Sequence, residues 1–239
     1  MKSHNLTYKL FGESAILIEW PAKIDENIIL DIVSFESIVS KTLDVMDTII
    51  AYNSLTVCFK NRIEFNYEVS QLKEIYETKR EAKKQEVKLW KIPVCYDVAF
   101  GLDLEEIANE INCSVDEVIR LHSAPTYLIY FLGFQPGFLY LGGLNEMIHR
   151  PRRANPRIRV AKGSVGIGGA QTGIYPQNSS GGWNLIGKSP IDFFDASKES
   201  PCFANPGDRI QFYSIDLKTY QSIAKEVNSK VYELKSARI

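Results

Sequence analysis

The chain has 239 residues, 45 % hydrophobic and 24 % charged, and its 28 Lys and Arg against 29 Asp and Glu leave a formal net charge of −1. That length supports one or two domains with a sizeable core, and the even charge balance excludes a general binder of nucleic acid or anionic membrane, which needs a basic excess. No apolar run approaches the roughly 18 residues of a membrane span, and four cysteines without CxxC spacing beside three histidines form no metal pattern, so a reduced cytoplasmic protein is expected.

In chain order, Tyr8 to Trp20 reads as strand material broken by a turn at Gly12-Glu13, and Pro21 ends it. Asp25 is placed to cap a helix running to about Lys41, with Ile28, Ile29, Ile32, Phe35 and Val39 near helical spacing. Met46 to Ala51 and Leu55 to Lys60 read as a hairpin, and Tyr67 to about Gln85 as a second helix. This β-α-β-β-α order predicts a small ferredoxin-like α/β sandwich. The charge-rich end of the second helix (KREAKKQE) sets the expected boundary, giving domains 1–86 and 87–239.

The second domain opens with the strand LWKIPVCY (Leu89 to Tyr96) and two short helices, Asp103 to Asn109 and Val115 to Leu121. Ser114 caps the second, with Glu117 at its third helical position. From Leu121 to Asp195 glycine dominates: twelve of the chain's fifteen fall between Gly133 and Gly187, with six prolines and many aromatics. Short apolar runs, sharp turns and aromatic walls predict convoluted β structure with a concave surface. IDFFD (Ile191 to Asp195) looks like a strand, FANPGDRIQF is a turn feeding a last strand, and a helix from Asp216 to about Glu226 precedes a polar tail.

Several motifs admit chemistry. GWNLIGKS (Gly182 to Ser189) satisfies the phosphate-loop pattern, but Pro190 follows and no helix does, so the match is read as accidental. Gly166-Ile167-Gly168-Gly169 lacks the third glycine and the helix of a dinucleotide turn. There is no GxSxG elbow and no HExxH. His122 is open to two readings, a general acid/base or a histidine serving the end of its helix. Residues 149–162 carry Arg150, Arg152, Arg153, Arg157, Arg159 and Lys162 with no acid among them. A solvated face and a carboxylate or phosphate clamp both explain that run. Gln171, Thr172 and Tyr175 are placed either to orient a substrate amide and its oxyanion or to stabilise a turn.

HSAPTYLIYFLGFQPGFLYLGGL, PRxxxPRxxV, GSVGIGGAQTGIYP and GGWNLIGKSP together resemble the family of allophanate hydrolase subunit 1, equally known as the B-type subunit of 5-oxoprolinase, which includes Kip-type inhibitors of a sensor histidine kinase. GESAILIEW, AYNSLTVCF, IPVCY and NPGDRIQF extend the resemblance over nearly the whole chain. It implies an N-terminal α/β domain and a C-terminal cyclophilin-like β-barrel, an α+β protein overall. It further implies a hydrolase component, inactive without partners, that opens 5-oxoproline to L-glutamate using ATP. The implied partners are a C-type 5-oxoprolinase component (the allophanate hydrolase subunit 2 type) and an A-type component. The alternatives the resemblance carries are inhibition of a histidine kinase and a carboxyltransferase-like or allophanate hydrolase role. On the matching positions, His122, Gln171 and Tyr175 are expected as catalytic residues, and Arg152, Arg157, Thr172 and Trp183 as substrate-binding ones.

Overall fold

The computed structural model describes residues 4–78 and 86–239, in two compact units, Met1–Glu86 and Val87–Ile239. The charged stretch expected at the boundary, and the continuation of the second helix to Gln85, fall almost entirely outside the described residues.

In the first unit, β1 (Thr7–Leu10) and β2 (Ala15–Glu19) form a hairpin, followed by α1 (Glu26–Thr42), β3 (Val45–Ile50), β4 (Ser54–Phe59) and α2 (Phe65–Thr78). The sheet order is β1-β2-β4-β3, antiparallel throughout. This is the expected ferredoxin-like arrangement, with the edge beside β2 filled by the N-terminal hairpin strand. The Asp25 side chain accepts from the amide of Asn27 and satisfies a free donor at the start of α1. Period-2 alternation in the strands and helical spacing in α1 then bury Ile16, Ile18, Leu55 and Val57 with Ile28, Ile29, Ile32, Phe35 and Val39. Asp31 is buried among them. Its carboxylate accepts from Trp20 Nε1 at 2.8 Å and from the Tyr76 hydroxyl at 2.7 Å, which offsets its desolvation.

The second unit contains β5 (Lys88–Cys95), α3 (Leu104–Glu110), α4 (Val115–Ser123), β6 (Thr126–Leu132), β7 (Leu139–Gly142), β8 (Arg157–Val160), β9 (Ser164–Gly168), β10 (Gln171–Ile174), β11 (Ser179–Gly181), β12 (Asn184–Lys188), β13 (Arg209–Ile215), α5 (Leu217–Asn228) and β14 (Ser236–Arg238). Seven strands close into a barrel in the order β5-β13-β6-β7-β10-β9-β12, with β12 returning to β5 at Lys188 and Cys95. β13 runs parallel to β5 over seven residues. The NPGD turn before it is stapled by Asp208, whose carboxylate accepts from the Lys88 amide, the Asn205 amide and Trp90 Nε1.

Two elements differ from the sequence expectation. IDFFD is not a strand: its apolar alternation buries Ile191 and Phe193 in the barrel core without ladder partners, because β12 already pairs with β9 and β5. The polar tail, conversely, ends in β14, which pairs antiparallel with β5 through its backbone while its side chains stay exposed. Among the described residues no helix is long and apolar enough to cross a membrane.

Candidate functional site

The barrel wall sorts the expected site residues by side-chain alternation. In β9 and β10, Val165, Ile167, Thr172 and Ile174 point inward, while Gly166, Gly168, Gln171, Gly173 and the following Tyr175 point outward. Thr172 is therefore separated from Gln171 and Tyr175 by the thickness of the sheet, although the three are close in sequence.

His122, in the last turn of α4, belongs to the interior. It is 0 % exposed and stacks on Phe212 with centroids 4.7 Å apart. Its Nδ1 lies 2.7 Å from the Tyr96 hydroxyl and its Nε2 2.8 Å from Thr172 Oγ1. Thr172 donates its own hydroxyl proton to the carbonyl of Gly166, so it accepts from His122. That fixes the neutral tautomer with the proton on Nε2, and Tyr96 donates to Nδ1. Burial pushes the imidazole down from 6.5 to about 3. An enclosed imidazole with both nitrogens engaged holds the barrel together. His122, expected to transfer a proton, and Thr172, expected to contact substrate, are both held in this core network.

On the outer wall the glycines have a clear purpose. A Cβ on Gly168 would fall 2.5 Å from the Trp183 indole nitrogen, and one on Gly173 would fall 3.0 Å from the same ring and 2.8 Å from the Leu139 carbonyl. The bare backbone is a floor on which Trp183 lies. Phe138 meets Trp183 and Tyr175 edge-on, each at 5.4 Å, and Tyr140 at 4.9 Å; Phe131 stacks on Tyr140 at 4.3 Å. Val160 and Leu185 complete this second core. Phe138, Tyr175 and Trp183 are buried, whereas Tyr140, Phe131 and Gln171 are half-buried and accessible.

Arg152 lies over this shelf, its guanidinium 5.9 Å from the centre of Trp183. Burial raises the Tyr140 and Tyr175 phenols, with the Arg152 charge opposing the shift at both and Arg157 also opposing it at Tyr175. Both phenols are thus hydrogen-bond donors at neutral pH.

Three other arginines of the basic run are paired with acids. Arg153 and Arg157 donate to Asp103 Oδ1 at 2.7 and 2.6 Å, Arg153 also reaches Glu106, and Arg150 pairs with Glu110 at 2.8 Å. α3 and its flanking residue supply the acids that the run itself lacks. Arg157, expected to bind substrate, ties β8 to the start of α3 through one guanidinium nitrogen. Among the described residues no carboxylate partners Arg152, which is exposed and lines a cleft of about 370 Å³ with Glu106, Glu110, Asn155 and Asn184. Sequence reasoning missed Asp103 and the two glutamates; their one signal was the charge spacing along α3.

GWNLIGKS is a barrel strand, not a phosphate loop. Asn184–Lys188 pairs with β9 and β5 as a strand, its Leu185 amide donates to Asp103, and Lys188 lies over the rings of Phe100 and Tyr220, its pKa lowered by burial. Lys188→Ala is therefore expected to leave the ATP affinity of the isolated chain unchanged in a fluorescent-nucleotide titration; a collapse of binding would restore the nucleotide reading. Among the described residues no group of His, Cys, Asp and Glu is placed to hold a metal ion.

Residues 6–204 match the family described as carboxyltransferase domain, subdomain C and D. The chain is 41 % identical over 169 residues to the B-type subunit of 5-oxoprolinase from Escherichia coli, covering 71 % of this chain and 78 % of that protein. It is 37 % identical over 201 residues to the counterpart of the same name from Haemophilus influenzae, covering 84 % and 94 %. Among solved structures, TTHA0988 superposes with a TM-score of 0.75 at 31 % identity over 84 % of this chain, which spans only 40 % of the TTHA0988 chain. The Kluyveromyces lactis urea amidolyase superposes with a TM-score of 0.78 over 99 % of this chain and 16 % of its own; at 20 % identity it shares the fold.

Proposed function

The chain belongs to the family of 5-oxoprolinase B-type subunits, built on a carboxyltransferase C and D domain, and from that membership we propose that it is one component of a cyclic-amide hydrolase opening 5-oxoproline to L-glutamate with ATP. Its partners on this reading are a C-type and an A-type component. The observation that carries the reading is Arg152, a guanidinium with no carboxylate partner among the described residues, held over the Trp183 ring at the mouth of a cleft.

5-Oxoproline is a flat lactam bearing one carboxylate. Arg152 matches the carboxylate, since a planar guanidinium presents two parallel N–H donors to it. The half-buried Tyr140 ring beside Arg152 offers apolar surface to the lactam. The lactam is unstrained and resonance-stabilised, so ATP supplies the activation, and the one phosphate-loop match in this barrel is a strand. The shelf binds and orients; the partners complete the chemistry.

The test is ATP-dependent glutamate release from 5-oxoproline by the reconstituted complex. Arg152→Ala should lower kcat/KM about tenfold or more, the loss of one charge-assisted contact, and Arg152→Lys should recover part of it. Thermal stability should not change, because Arg152 is exposed. Unaltered turnover by Arg152→Ala, or full turnover by a mixture lacking this chain, would overturn the reading.

A further inference from the structure

We propose that the outer edge of β8 is a docking edge that accepts an extended, acidic segment of a partner chain as a third strand. The proposal rests on the function proposed above for the existence of that partner, and on the following geometry for the place.

β8 and β11 form a two-stranded ribbon of their own, joined to no other sheet among the described residues. A two-stranded ribbon is marginal by itself, and this one is anchored from its inner side. Val160 packs into the aromatic shelf, Arg157 is bound by Asp103, the Lys162 amide donates to Asn178 Oδ1, and the Arg153 amide donates to the Gly182 carbonyl. The outer edge of β8 has no strand beside it among the described residues. Its backbone groups are thus held in extended register with one side open, a pre-organised template for strand addition.

Side chains decide which strand fits. Ile158, at 94 % exposure, is the most exposed large apolar residue among those described. Arg159 next to it is exposed and has no carboxylate partner among the described residues. Protective edge charges do not require a fully exposed isoleucine between them; an apolar knob flanked by guanidinium is the pattern of a recognition edge. A second copy of this chain fits poorly, because antiparallel self-pairing centred on Ile158 sets Arg157 opposite Arg159, and like charges directly opposed are destabilising. An acidic segment reverses that sign and leaves Ile158 to fill an apolar contact.

The experiment measures binding of the full-length chain to the purified C-type partner by calorimetry, with backbone hydrogen exchange read on the complex. Ile158→Glu and Arg159→Glu should each weaken binding about tenfold or more, Arg159→Lys should stay close to wild type, and the amides of residues 157–160 should gain protection in the complex. All variants should melt as the wild type does, since both side chains are exposed. If the wild type binds and turns over while the glutamate variants bind equally well with unprotected β8 amides, the docking edge is wrong and the proposed function stands. If the wild type neither binds the partner nor supports turnover, both fall. A homodimer of the chain alone that Ile158→Glu dissolves would assign the edge to a second copy and overturn the proposal.

Discussion

His122→Ala is expected to destabilise the barrel unit by about 3–5 kcal/mol, the range for deleting a large buried ring. The loss has two parts. The cavity forfeits the stack on Phe212, and the Tyr96 hydroxyl and Thr172 Oγ1 lose their shared partner inside the core. Urea unfolding followed by fluorescence measures it, and a midpoint within error of wild type would contradict the network. The same residue sets a pH dependence. Its pKa is near 6.5 unfolded and about 3 folded, so between those values the unfolded chain binds the extra proton. The contribution is complete above pH 6.5, erodes as pH falls, and is gone below about 3. Over that window it amounts to roughly 5 kcal/mol by linkage. The wild type should therefore lose stability steadily from about pH 6.5 to about 4.5, and a folded His122→Gln variant, which has nothing to titrate, should show a shallower slope. Parallel slopes would mean that the imidazole titrates freely in the native protein.

Asp103→Ala is expected to cost about 3 kcal/mol or more, the scale for removing one partner of a buried ion pair. Asp103 is 2 % exposed and accepts from Arg153, Arg157 and the Leu185 amide, at 2.7, 2.6 and 2.6 Å. Its removal leaves Arg157 and a strand amide without their acceptor and Arg153 with only Glu106, at the point where α3, β8 and β12 meet. On the proposed function, the same substitution should raise KM for 5-oxoproline in the reconstituted complex, because the segment carrying Arg152 is tied down through Arg153. Asp103→Asn, which keeps acceptor oxygen but no charge, should fall between. An Asp103→Ala protein with wild-type stability would show that the arginines find water or other acceptors at no cost.

Much of the fold was legible because its causes are local. The caps at Asp25 and Ser114, the spacing of the α1 isoleucines, and Tyr8 to Trp20 as strand material broken at Gly12-Glu13 are all set by residues a few positions apart. β14 was not legible, since its exposed side chains carry no apolar signal and only its backbone pairs with β5. The strand periodicity of Gln171, Thr172 and Tyr175 contained the fact that Thr172 faces away from the other two; reading the Gly-rich stretch as turns concealed it.

The sequence by itself determined the two-part element order, the inward alternation of the barrel strands and the family pattern, all short-range or read directly from residue identity. Only the tertiary structure decided which arginines are committed. Arg153 and Arg157 find Asp103 at separations of 50 and 54 positions, while Arg152, next to Arg153, finds an indole instead. Electrostatic attraction and burial depend on distance in space, and only barrel closure brings α3 against the arginine run, turning one basic stretch into a set of structural ion pairs beside the open guanidinium groups of Arg152 and Arg159.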